Sequence, residues 1–153
     1  MMDTQIERAF ISDAEKILLL QKAAYRSEAE LYNDYSIEPL VQTLEQLQEQ
    51  FEDHVVLKAV VSDTIIGSVR AIEQDGTCYI GKLLVDPNHQ NKGVGKKLMY
   101  AIEGCFPNSR YELFTGSKSE KNIALYEKLG YKAFKERLIS HDFSLVYLEK
   151  KGT

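Results

Sequence analysis

Val85-Asp86-Pro87-Asn88-His89-Gln90-Asn91-Lys92-Gly93-Val94-Gly95-Lys96-Lys97-Leu98 is the stretch whose reading decides the fold. A β-type run from Ile80 to Val85 stops ahead of Pro87, which cannot extend a ladder. From Val94 the apolar residues Val94, Leu98, Ala101, Ile102 and Cys105 recur at helical spacing. A glycine-rich turn therefore feeds a helix N-terminus. The first amides of a helix have no partner inside it, and Gly93 and Gly95 lack the Cβ that would hold a bulky anion away. The layout predicts an anion cradle suited to phosphate. Lys96 and Lys97 stand in the first helical turn, where the macrodipole disfavours cations by up to about 1 kcal/mol. A bound anion would reverse that sign, and Lys92 adds a third charge beside it.

Outward from the turn, 153 residues are about one domain, with enough chain for one core, and the expectation is a single domain over residues 1–153. A hydrophobic fraction of 44% and a charged fraction of 27% are ordinary for a globular chain, so neither disorder nor a fibrous class is indicated. The net charge of −4 argues against general nucleic-acid binding, which needs a broad basic surface. No apolar run approaches the ~20 residues needed to span a bilayer, and Met1-Met2-Asp3-Thr4-Gln5 lacks a basic region followed by an apolar one. The expectation is a cytoplasmic protein without membrane or nucleic-acid partners. Cys78 and Cys105 form no C-x-x-C pair and have no His at zinc-ligand spacing, so both read as buried, inert thiols and no metal is expected. His54, His89 and His141 are isolated and receive no catalytic role.

Periodicity predicts strands over Thr4 to Phe10, His54 to Val61, Thr64 to Glu73, Thr77 to Val85, Arg110 to Thr115, Tyr131 to Ile139 and Phe143 to Leu148. Ser62-Asp63 and Gln74-Asp75-Gly76 read as hairpin turns. Helices are predicted from Asp13 to Tyr25, from Pro39 through Leu47 to Phe51, after the glycine turn, and from Glu120 to Leu129 with Gly130 as the stop. The polar, aromatic segment from Arg26 to Glu38 reads as irregular, the kind of segment in which recognition resides. The sum is an α+β fold with helices on a mostly antiparallel sheet. The βαβ unit from Thr77 to Thr115 supplies a parallel pair, with a right-handed crossover if its strands share a sheet.

Two rival phosphate motifs fail on mechanics. Gly76 to Leu83 matches G-x-x-x-x-G-K, but Leu83 has no hydroxyl for Mg²⁺ and Cys78-Tyr79-Ile80 reads as strand. Gly93-Val94-Gly95 begins a dinucleotide fingerprint that lacks its third glycine.

The Val85, Pro87, Gln90, Gly93, Gly95 series is similar to the signature V-x-P-x-x-[QR]-x-x-G-x-[GA]. Asn122 to Tyr131 looks like A-x-x-L-Y-x-x-x-G-[FY]. Together, in this order and separated by one strand, they resemble the GNAT superfamily of acyl-CoA-dependent N-acyltransferases. The resemblance implies a layered α/β/α arrangement with a mixed, mostly antiparallel sheet of about seven strands and helices on both faces. It also implies that acetyl-CoA is the co-substrate, its pyrophosphate held by Gln90, Asn91, Lys92, Gly93, Val94, Gly95 and Lys96. The strand before the turn would splay from its neighbour, freeing backbone groups of Leu83, Leu84 and Val85 for the pantetheine arm, with Gly81 marking a bulge. Where the family often carries Asn seven positions before the tyrosine, this chain has Ser119, and Asn122 holds a position more often small; either or both would reach the cofactor.

Acetyl transfer to an amine needs a neutral nucleophile, a polarised carbonyl and a protonated leaving thiolate. Tyr126 is the candidate proton donor: a phenol near ~10 can serve a thiolate near ~8.5 if transfer is assisted as the C–S bond breaks. The base is Glu112 or Glu73, each on a predicted central strand, or an ordered water. For a cationic acceptor, small molecule or peptide, the segment from Arg26 to Glu38 combines the carboxylates Glu28, Glu30, Asp34 and Glu38 with the aromatic faces of Tyr25, Tyr32 and Tyr35, and Tyr32, Asp34 and Tyr35 are the foremost candidates. The expected activity is transfer of an acetyl group from acetyl-CoA to a primary amine by direct attack on the thioester. The alternative is a non-catalytic acyl-CoA-binding sensor of the same fold. Edge strands near the C-terminus suit a homodimer.

Overall fold

Ser62 and Asp63 take φ of 47° and 66°, and Asp75 and Gly76 take 51° and 82°. These pairs of left-handed residues match the right-handed twist of flanking strands, and both links are tight hairpin turns as their sequence predicts. They join β2 (Val55–Val61), β3 (Thr64–Gln74) and β4 (Thr77–Val85). β1 (Gln5–Arg8), β5 (Arg110–Gly116), β6 (Lys132–Ser140) and β7 (Phe143–Lys151) complete one seven-stranded sheet of order β1-β2-β3-β4-β5-β7-β6. The computed structural model describes residues 3–152, so the reading of Met1-Met2 lies outside the described residues.

Every neighbouring pair is antiparallel except β4 and β5. That parallel pair holds register only over Thr77–Tyr79 against Arg110–Glu112, and beyond it the two strands part. Ladder hydrogen bonds on the facing edges are thereby given up from Ile80 onward, and the opening becomes the site. A bulge sits in the same strand: β3 advances from Ser68 to Arg70 while β4 runs from Leu84 back to Gly81. The left-handed residue is Lys82, at φ 51°, one place beyond the predicted Gly81. Cys78 and Ile80 belong to the core cluster under the helix after the glycine turn, and Leu83 and Val85 pack against that same cluster.

Helices cover both faces. α1 (Ala14–Ala24) buries Ala14, Ile17, Leu18 and Gln21, one stripe at helical spacing. Further helical segments are α2 (Arg26–Tyr32), α3 (Glu38–Val41), α4 (Leu44–Gln50), α5 (Val94–Gly104) and α6 (Glu120–Lys128). In β2, Val56 packs with α1 and α4 whereas adjacent Leu57 packs with α5, so the two helical layers lie on opposite sides of the sheet.

Three expectations are corrected here. The segment predicted to be irregular contains α2, stopped by left-handed Asn33. The single helix predicted from Pro39 to Phe51 is two, because Thr43 starts a new one with a capping box. Gln46 N donates to Thr43 Oγ1 at 3.2 Å, and Thr43 N donates to Gln46 Oε1 at 2.9 Å. Cys105, expected to be buried, is exposed; Cys78 is buried as expected, and desolvation pushes its thiol up to about 12.

Candidate active site

The parting of β4 from β5 opens a cavity of about 760 Å³ on one side, walled by Leu83, Leu84 and Val85, the glycine turn, residues 118–122 and one face of α2. The turn is held before anything binds. Asn88 N donates to Asp86 Oδ1 at 2.9 Å, His89 N donates to Asp86 O at 2.8 Å, and Gln90 Nε2 donates to Val85 O at 3.3 Å. Asn91 and Gly93 then take φ of 64° and 81°.

The first bond of α5 runs from Lys97 N to Gly93 O, 3.1 Å, so the amides of Val94, Gly95 and Lys96 precede the ladder, and Gly93 has no side chain to cap them. Only Gly93 needs to be glycine for its backbone angle. A Cβ on Gly95 would meet Leu125, Leu83 and Val85 at 3.5 to 3.9 Å, an ordinary contact. His89 lines the same cavity, and its Nδ1 is buried with no hydrogen-bond partner. Free amides at a helix start, an unpaired ring nitrogen and Lys96 on the wall are a donor set that fits a phosphorylated ligand.

A second cavity of about 420 Å³ adjoins the first, lined by Leu113 to Gly116 of β5, Ile80 to Leu83 of β4, Tyr126, Tyr32, Phe143 and Leu145. Tyr25, Glu28, Leu83 and Asn122 line both. Tyr126 is 7% exposed and packs edge-on against Tyr131, ring centroids 6.1 Å apart. Burial raises its phenol above the ordinary range, and it stays protonated at neutral pH. Tyr25 Oη donates to Leu83 O at 3.3 Å, its phenol raised by burial as well. Tyr32 lies over Gly116 and accepts from Lys118 N at 2.7 Å, its ring 4.8 Å from that of Phe143. Lys82 pairs with Glu38 across the mouth of this cavity. Desolvation lowers the ammonium of Lys82, and Glu38 opposes that shift.

Behind this wall is a buried polar core. Arg70, 2% exposed, donates from Nη1 to Gln21 Oε1 at 3.1 Å and from Nη2 to Gln42 Oε1 at 2.9 Å. Gln21 Nε2 donates to Gln42 Oε1 at 2.9 Å, and Gln42 Nε2 reaches Gln50 Oε1 at 3.1 Å. Burial draws the guanidinium down to about 10, still charged at neutral pH.

The structure brings together Leu83, Leu84, Val85, Gln90, Asn91, Gly93, Val94, Gly95, Lys96, Ser119 and Asn122 on the larger cavity, and Tyr126 and Tyr32 on the smaller one. The remaining residues named from the sequence stand elsewhere. Glu112 lies where β4 and β5 are still paired and is held by Arg110 Nη1 at 2.8 Å. Glu73 lies opposite Cys78 and accepts from Ser109 Oγ. Both sit at the closed end of the split, and neither lines either of these two cavities. Asp34 is exposed and turned onto Ser36, whose hydroxyl and amide hold its carboxyl below the usual range; Tyr35 is 57% exposed. Lys92 does not line the cavity either.

Sequence reasoning missed Lys82 and His89, and it placed Tyr25, Glu28 and Glu38 only within the broad acceptor segment. A sharper signal existed, since Tyr25, Glu28 and Tyr32 fall at i, i+3 and i+7 on one helical face. Glu28 accepts from Ser119 Oγ at Oε2 and from Asn122 Nδ2 at Oε1, 3.3 Å.

The model of the Acetyltransferase (GNAT) family matches residues 16–131. No curated protein matches the chain. Among solved structures, the PaiA N-acetyltransferase of Thermoplasma acidophilum in complex with coenzyme A superposes with a TM-score of 0.82 at 18% identity, covering 98% of this chain and 99% of that one. The ribosomal-protein-S18-alanine N-acetyltransferase of Escherichia coli gives 0.82 at 13% identity, covering 99% and 95%. A Salmonella typhimurium protein solved with its cofactor acetyl-CoA gives 0.73 at 16% identity, covering 97% and 94%. At such identities the likeness to these structures is one of fold.

Proposed function

Because the chain belongs to the Acetyltransferase (GNAT) family, we propose that it transfers an acetyl group from acetyl-CoA to a primary amine by direct attack on the thioester. The observation that supports this most is the split of β4 from β5, which gives two cavities sharing Tyr25, Glu28, Leu83 and Asn122. A donor on one side and an acceptor on the other would meet at that shared wall.

Acetyl-CoA supplies an activated acyl carbon and a thiolate leaving group. The protein's part is to hold, orient and protonate. Val94, Gly95 and Lys96, whose amides precede the α5 ladder, line the larger cavity together with His89, while the unpaired edge of Leu83 to Val85 offers backbone groups to an extended arm. Tyr126 holds a proton on Oη. Its raised pKa makes transfer uphill against a free thiolate, so the proton moves only in concert with C–S cleavage. Phe114, Phe143 and Leu145 give the acceptor side an apolar lining.

The reading places a single domain over residues 1–153 in the cytoplasm, acting on a small-molecule or peptide amine, with no metal in the reaction as written. Among the described residues no helix is long and apolar enough to cross a membrane. A homodimer would form through β6, an edge strand exposed along its whole length. The test is a panel of primary amines with acetyl-CoA, monitored by thiol release. The proposal expects amine-dependent release; acetyl-CoA binding without it would identify a catalytically silent sensor.

A further inference from the structure

Given acetyl transfer as proposed above, we infer that Glu28 receives the acceptor's ammonium group and removes its proton, and that the acceptor is a small, singly charged primary amine on an apolar body. Glu28 is the one carboxylate that lines both cavities among the described residues. Its two hydrogen-bond partners, the Ser119 hydroxyl and the Asn122 amide, are neutral donors. They hold its two oxygens in place and bring no positive charge to it. The other carboxylates that the site or the sequence offers are placed differently: Glu38 is paired with Lys82 and Glu112 with Arg110, Glu73 lines neither cavity, and Glu120 is exposed and lines the larger cavity only. A half-buried anion without a cation, at the point where donor and acceptor meet, is a place for an ammonium ion.

The rest of the cavity defines what carries that ammonium. Ile37, Pro39, Leu113, Phe114, Phe143 and Leu145 are apolar, and about 420 Å³ is the scale of a small ligand. The Glu38–Lys82 pair neutralises itself, so a second ammonium finds no free carboxylate there.

The protons balance. The ammonium gives one proton to Glu28, which passes it to water. The freed lone pair forms the C–N bond as the C–S bond breaks, and the sulfur takes the Tyr126 proton. The second N–H proton, lost as the amide forms, restores Tyr126.

The experiment compares wild type and Glu28→Gln by thiol release at neutral pH with two amines: phenylethylamine, almost wholly protonated, and a fluorinated ethylamine that is already neutral. The variant is expected to lose about a hundredfold in kcat/KM with phenylethylamine, to lose only a few-fold with the neutral amine, and to bind acetyl-CoA as wild type does by calorimetry. Equal losses on both amines, no loss on either, or failure of the variant to bind acetyl-CoA would overturn the role of Glu28. Wild-type preference for spermidine or a lysine peptide over phenylethylamine would overturn the substrate class. No amine-dependent release from wild type would remove the acetyl-transfer reading, and this inference with it.

Discussion

The two cavities meet at a common wall yet are made of different material. About half of the larger one's lining comes from one nearly continuous run, Leu83 to Lys96, which carries the unpaired strand edge and the free amides of the glycine turn. The smaller is assembled from six elements, four residues each from β4 and β5 and two each from α2, α3, α6 and β7. A backbone site must use residues that permit its angles, and so it writes itself into the chain as glycines and a proline at fixed spacing. A side-chain site leaves no such record, because its members become neighbours only after the sheet has formed.

The comparison can be broken where the side-chain wall is anchored. Gln42→Leu strips Arg70 and Gln21 of a buried acceptor, and leaving a buried guanidinium short of partners costs about 3 kcal/mol. Urea denaturation should show that loss while acetyl-CoA affinity, set by the other wall, stays near wild type. An equal loss of both would mean that the walls are one unit. On the backbone side, Gly93→Val places a β-branched residue at φ 81°, a strain of about 2 kcal/mol, or roughly thirtyfold in acetyl-CoA Kd by calorimetry. Wild-type affinity in that variant would show that the turn is not the cradle.

Tyr126→Phe separates chemistry from binding. It should lower kcat tenfold or more with acetyl-CoA affinity nearly intact, as for an interaction made in the transition state. Since burial raises this phenol, wild-type kcat should not fall through its ionisation as pH rises into the mildly alkaline range. The smallest effect is expected from Gly116→Ala, whose added Cβ collides with the Tyr32 hydroxyl. Displacing that ring should raise acceptor KM about threefold, on the order of half a kcal/mol. A change in acetyl-CoA Kd instead would place Tyr32 on the wrong side of the wall.

Legibility follows the same division. Hairpins at Ser62-Asp63 and Asp75-Gly76, the parallel pair and the glycine turn rest on local backbone requirements, and each is visible in the sequence. α2 was not, because it buries Ala29 alone and carries no side-chain cap. The break between α3 and α4 was present in Thr43-x-x-Gln46, a signal outweighed by the apolar spacing of Leu40, Leu44 and Leu47. Glu112 and Glu73 were chosen for lying on central strands. Which end of the split they occupy depends on register between β4 and β5, and spacing alone does not encode that. The Glu38–Lys82 pair joins α3 to β4 across one intervening helix and two strands.

The extra residue that Lys82 inserts into β4 shifts the strand's phase. Before it, even-numbered Cys78 and Ile80 point to the α5 side; after it, odd-numbered Leu83 and Val85 do, and Leu84 is buried outside that cluster. A strand of uninterrupted pleat would carry the opposite set of side chains past the split. One surplus peptide thus acts as a half-turn of a screw, choosing which rim of the same ribbon looks into the cleft.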